Sequence, residues 1–198
     1  MMIVNGKSAL TRTLHLSLLI AVIHQLVGSL IMEVPRPGQS GGLLFDLHEW
    51  GGLTSLGLVL LFWVWTWVRR REAPLPALLP WFSSIRRALV WADFKLHVRS
   101  LAKLRLPEEG DGALAPAVHG LGLLTVTAMA VTGTASLIGP GLAEQLIGVH
   151  KVIANFMWAY LIAHASIAII HQLGGRDVMR QMFFWTSSER PRELDLFR

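Results

Sequence analysis

His150 and His164 stand fourteen residues apart in one largely apolar run that continues to Leu173. At about 100° per residue, fourteen helical steps return almost to the starting face. At about 1.5 Å of rise per residue, the two imidazoles are roughly 21 Å apart along the axis. A bilayer core is about 30 Å thick. One helix therefore offers two imidazoles on one face, one near each side of a membrane. That arrangement suits two metal centres in series. The chain has no cysteine, which excludes disulfides, iron–sulfur clusters and thiolate ligation. Histidine is the strong soft-metal ligand that remains, and haem iron is the leading candidate.

An iron held by two imidazoles needs a partner histidine from another helix. His48 opens a second apolar run at the depth of His150. Gly51 and Gly52 follow it and leave room for a flat macrocycle against the backbone. The rival reading of Asp46, His48 and Glu49 is a plain polar interface. The partner of His164 must come from the first apolar run, which holds His15 and His24. These are nine residues apart, on opposite helix faces, so they cannot both serve one cofactor. His15 lies near the inner end. His24 is nearer mid-membrane, on a stripe with Thr13, Ser17, Ala21 and Gly28 that looks like a helix-packing face. Geometry leaves that choice open.

An ionisable group inside a span is costly and is a functional candidate by default. The bland alternative is a neutral imidazole hydrogen-bonded between helices. His171, seven residues after His164, either bonds a propionate or a quinone or is an interfacial side chain. His119 carries the same two readings. His97 is expected to be solvated.

Composition names the elements that must position these groups. The chain of 198 residues is 53% hydrophobic, with mean hydropathy +0.48. Charged residues make up 16%, against about 25% in soluble proteins. Eight tryptophans against one tyrosine suit membrane interfaces. The pI is about 10.4 and the net charge +5. In a soluble protein this would suggest nucleic acid. Here anionic headgroups and cytoplasmic loops explain it, and no nucleic-acid partner is expected.

Four apolar runs are long enough to span: Leu14 to Met32, Leu44 to Val68, Pro116 to Ile138 and Leu146 to Leu173. The first follows Lys7 and Arg12 as a signal peptide would. It is too long for one, and Glu33 to Gly38 is no small-residue cleavage site, so it is expected to be retained. The expected fold is all-α, one membrane domain over residues 1–198, a four-helix bundle.

Orientation follows the basic residues. Arg69, Arg70, Arg71, Arg86, Arg87, Lys95, Arg99, Lys103 and Arg105 lie between spans two and three. Arg176, Arg180, Arg190, Arg192 and Arg198 follow span four. The opposite loops hold Arg36, with Lys151 just inside span four. Both termini are therefore expected in the cytoplasm. Trp63, Trp65 and Trp67 before Arg69 read as the cytoplasmic interface.

The segment 69–115 is an extra cytoplasmic piece. Pro74, Pro76 and Pro80 predict an extended linker. Ile85, Leu89, Ala92 and Leu96 predict a helix over Ser83 to Leu104. It is either a basic amphipathic helix on the inner leaflet or a solvated helix. Residues 107–112 form a turn-rich exit.

These residues resemble the bacterial cytochrome b561 family, which includes the b-type cytochrome subunits of nickel–iron hydrogenases and the gamma subunit of formate dehydrogenase. Arg12-Thr13-Leu14-His15 is similar to the family's first-span Arg-x-x-His, with Gly28-Ser29 near its small residue. His48 is followed by Gly52. His119 is followed fourteen residues later by Gly133. His150 and His164 have the family's spacing, with His171 beyond. Two departures stand out: Leu16 replaces the family's usual tryptophan, and His24 is not a usual feature.

The resemblance implies two b haems, an outer one between His48 and His150 and an inner one between His15 and His164, with His24 as rival to His15. It also implies electron transfer across the bacterial inner membrane, between a redox partner subunit and the quinone pool, with quinone at the inner haem edge. Lys151, Arg12 or Arg69 to Arg71 would pair with propionates, unless they are simply positive-inside residues. Some relatives are superoxide:quinone oxidoreductases, a second reading that the sparse outer cations disfavour. A third is a haem-free transporter or assembly protein.

Overall fold

The computed structural model describes residues 7–35, 39–69, 72–103, 105, 112–138, 140–175 and 178–183. Arg36, Arg70, Arg71, Leu104, residues 107–111, Arg176 and the tail from residue 184 lie outside the described residues.

Helices are the only regular elements among the described residues. Four are long and apolar enough to cross a membrane: α1 (Ala9–Ile31), α2 (Leu43–Val68), α5 (Leu114–Ile138) and α6 (Ala143–Leu173). Shorter helices are α3 (Leu75–Leu78), α4 (Ser84–Ala102) and α7 (Val178–Phe183), with 3-10 turns at Pro80–Phe82 and Pro140–Leu142. α1, α5 and α6 begin a few residues before their apolar runs. Ser8 starts α1 by accepting the Thr11 N–H at 3.2 Å. Gly175, at φ +81°, closes the exit of α6 in the left-handed conformation that favours glycine.

The spans pack in chain order. α1 lies on α2, α2 on α5, and α5 on α6. α6 approaches the backbones of α1 and α2 only sparsely. A buried cluster fills the middle of the bundle: Leu14, Leu18, Leu26, Val59, Phe62, Leu123, Val126 and Met157. Met157 is seven residues from both His150 and His164 and 1% exposed, so it divides the two histidine levels with an apolar layer.

Three expectations change in the structure. The proline-rich stretch is not an extended linker. Pro76 and Pro80 sit in the first turns of α3 and of the 3-10 turn, where a missing N–H costs nothing. Leu78, 2% exposed, packs on α5 there, and Gly120 lies directly against the Leu78 backbone, with no space for a Cβ. The tryptophans near the end of α2 do more than face an interface. Trp63 donates to Thr127 Oγ1 at 2.9 Å and Trp65 to Thr11 Oγ1 at 2.8 Å, while Trp67 is exposed. Each inward indole satisfies its N–H on a neighbouring helix. His97 is not simply solvated: its Nδ1 lies 2.9 Å from the Asp93 carbonyl and 3.1 Å from Asp93 Oδ1.

A polar lock ties the start of α1 to the exit of α2. Glu72 Oε1 accepts from Ser8 N–H at 3.0 Å and Thr11 Oγ1 at 2.9 Å, and Oε2 pairs with Arg69 at 3.4 Å. Both charged side chains are under a tenth exposed. Burial raises the Glu72 carboxyl, but the Ser8 and Thr11 hydrogen bonds and the Arg69 guanidinium outweigh it and hold the group below its ordinary value. Burial pulls Arg69 down, against the attraction of Glu72.

Candidate metal centres

The bundle brings its histidines together in two places. His48 of α2 faces His150 of α6, with ring centroids 6.3 Å apart. His15 of α1 faces His164 of α6 at 6.4 Å. That spacing is compatible with a shared ion. Two metal–nitrogen bonds of about 2 Å, plus roughly 1.1 Å from each nitrogen to its ring centre, put two imidazoles sharing one ion about 6.2 Å apart. Among the described residues, no three His, Asp or Glu side chains are arranged to hold a metal ion. A two-imidazole site therefore suits a metal whose other ligands come from a macrocycle.

Two features leave space near the His48 and His150 pair. α6 stands off from α1 and α2 although its histidines face theirs. A Cβ on Gly52, one turn after His48, would meet nothing within 4 Å. Gly51 does not serve this purpose. It is pressed against the Gln25 amide and the His24 ring, so it permits the α1–α2 approach instead. His24 lines a shallow groove of about 380 Å³ with Ser17, Ala21, Gly51 and Thr54. Ser17 and Ala21 of the small-residue stripe line that groove, Thr13 and His24 are exposed, and a Cβ on Gly28 would meet nothing within 4 Å.

The groups behind His150 set its chemistry. Its Nδ1 lies 3.0 Å from the Met129 carbonyl and 3.2 Å from Thr132 Oγ1, both on α5. A carbonyl only accepts, so Nδ1 carries the proton and Nε2 keeps its lone pair for a metal. A Cβ on Gly133 would lie 3.3 Å from His150 Cε1, so glycine there keeps the ring in place. His48 Nδ1 is buried without a hydrogen bond among the described residues.

His164 has further neighbours. The His119 ring of α5 is edge-on to it at 5.4 Å, and Tyr160 stacks on it at 5.5 Å and 8°. The separation of 5.4 Å is too short for two imidazoles to hold one ion from opposite sides. His119 is therefore a neighbour of the pair. The Tyr160 hydroxyl rests directly against Gly122. Tyr160 is the chain's one tyrosine and lies four residues before His164. That one-turn spacing was the signal for it. Thr132, Met129 and Glu72 had no comparable signal, because their roles depend on another helix.

A family model described as prokaryotic cytochrome b561 matches residues 7–185. The chain belongs to the prokaryotic cytochrome b561 family. It is thus a b-type cytochrome of membrane electron transfer, and four apolar helices make it a multi-pass membrane protein. No curated protein and no solved structure matched it. Both facing pairs offer two imidazoles at a separation that fits the b haem this family binds, with open space at Gly52 beside His48 and, for His150, a tautomer that frees Nε2.

The remaining histidines and cations are distributed as follows. His171 is half-buried, two turns beyond His164. Lys151 is exposed beside His150, and Arg12 is half-buried one turn before His15. Arg69 is engaged by Glu72.

Proposed function

We propose that this cytochrome b561 holds two b haems in series and carries electrons across the bilayer between a redox partner subunit and the quinone pool. His48 and His150 hold one haem, and His15 and His164 hold the other. The observation that carries this reading is the two pairs of facing histidines, at 6.3 and 6.4 Å, one pair near each end of the bundle.

Bound haem would supply one-electron exchange at iron, held by these histidines. The chain's own groups do the rest. Met129 and Thr132 orient the His150 ring. Met157, Val59 and Phe62 keep the space between the histidine levels dry, so the field there is set by fixed dipoles. Quinone binds at the end where His119 and Tyr160 group around His164, a reading supported by the polar and aromatic side chains gathered there. That end lies beside α4 and the basic segment, which the distribution of Lys and Arg assigns to the cytoplasm. Both termini lie on that side, and the membrane is the bacterial inner membrane.

The test is a reduced-minus-oxidised spectrum of the purified chain with haem counted per polypeptide. Two b haems are expected. One haem would remove the in-series scheme. None, in folded protein expressed with ample haem, would overturn the electron-transfer reading.

A further inference from the structure

Nothing in the electron-transfer reading uses α4. The helix meets the bundle along one narrow stripe. Val90, Asp93, His97 and Ser100 are half-buried and recur at the spacing of a single helix face. Asp93 Oδ2 accepts the N–H of Leu114, the first residue of α5, at 2.9 Å. No residue of α4 is fully buried. Beside the stripe runs a flank of Trp91, Phe94, Val98 and Leu101, between 42% and 59% exposed. Large apolar side chains gathered on one flank of a helix suit an interaction surface.

Depth decides which medium this flank meets. The chain just before α4 is already level with a membrane-spanning helix, because Leu78 packs its backbone on Gly120. Gly120 is about 9 Å along α5 from Leu114. Trp81, three residues after Leu78, shares a groove of about 390 Å³ with Val90, Trp91, Phe94 and Leu114. The aromatic flank thus adjoins the elements that sit at membrane depth. The stripe Ile85, Leu89 and Leu96 lies on the opposite flank.

Charge identifies the lipid. Arg86, Arg87, Lys95, Arg99, Lys103 and Arg105 stand against Asp93, whose carboxylate is already engaged by Leu114 and His97. Arg87 donates to the Trp81 carbonyl at 2.6 Å, and Lys95 Nζ lies 6.0 Å over the Trp91 ring. Cations held at the rim of an aromatic surface match phosphate headgroups above acyl chains.

We propose that α4 lies in the membrane interface as an anionic-phospholipid binding helix, with Trp91, Phe94, Val98 and Leu101 among the acyl chains and its basic residues on the phosphates. The proposal is independent of the haems.

The chain has no cysteine, so single labels can be placed cleanly. Val98→Cys, Leu101→Cys, Leu89→Cys and Leu96→Cys of the full chain would each carry a nitroxide, in vesicles of phosphatidylcholine with or without phosphatidylglycerol. All four positions are exposed, so folding is not at stake. Accessibility to oxygen relative to a water-soluble nickel chelate is the readout. The ratio should be several-fold higher at positions 98 and 101 than at 89 and 96. It should fall at 98 and 101 without phosphatidylglycerol, or when Lys95→Glu and Arg99→Glu are added. Equal ratios on both flanks, or a higher ratio at 89 and 96, would overturn the proposed orientation. Water-exposed labels on every face would assign the surface to a protein partner and overturn the lipid site. A ratio at 98 and 101 indifferent to phosphatidylglycerol would overturn the anionic preference.

Discussion

His15 and His164 face each other across the bundle with ring centroids 6.4 Å apart, while His24 packs on Gly51 of α2. The two first-helix histidines therefore have different neighbours and different expected phenotypes. His15→Ala should leave one haem per chain in place of two. His24→Ala should leave two. Haem quantification with a reduced-minus-oxidised spectrum checks both, and one haem after His24→Ala would reverse the assignment of the His164 partner.

Gly133 leaves His150 its position, since even a Cβ would stand 3.3 Å from Cε1. Gly133→Val should push the ring off the Met129 carbonyl and weaken haem affinity at that centre by about 10–100-fold. The His15/His164 centre is remote and should keep its haem. Titrating the apoprotein with haem separates the two affinities, and equal weakening at both sites would contradict this account.

Gly120 admits the Leu78 backbone against α5. Gly120→Val should lift α3 from that helix and destabilise the protein by on the order of 1–3 kcal/mol. The checks are a lower Tm in detergent and faster proteolysis between α2 and α5. Unchanged proteolysis would mean that the segment docks without this contact.

Glu72 should make stability acid-sensitive. Its folded carboxyl lies below the ordinary value of 4.5. Its stabilisation is therefore fully present above that pH and is lost as pH falls through the folded value. Tm should be level from about pH 7 to pH 5 and then decline. Glu72→Gln should lower Tm at neutral pH, by on the order of 1–3 kcal/mol of stability, and flatten the acid limb. A parallel decline in wild type and variant would point to another group.

The four spans were legible in the sequence because a bilayer imposes a length and a polarity that composition reports directly. The fourteen-residue spacing of His150 and His164 was legible because helix periodicity converts sequence distance into a common face. The prolines misled for a local reason. A proline bars a helix interior but suits a first turn, and only the docking of Leu78 on Gly120 makes α3 and the 3-10 turn after it worth forming. Trp63 and Trp65 were legible only in part, since their interhelix hydrogen bonds depend on Thr127 and Thr11 of other helices.

By itself, then, the sequence determined an all-helical membrane chain carrying imidazoles in series, because burial in lipid and helical repeat act residue by residue. The tertiary structure decided which imidazoles meet. Rotation of α1 about its axis cannot be read from one helix's spacing, and only the packed bundle sets His15 against His164 while Gln25 and His24 lie against Gly51. It also decided that Tyr160 and His119 gather at one pair, that Met129 orients His150, and that Glu72 locks α1 to α2. Each of these joins residues on different elements, and such contacts exist only once the helices have packed.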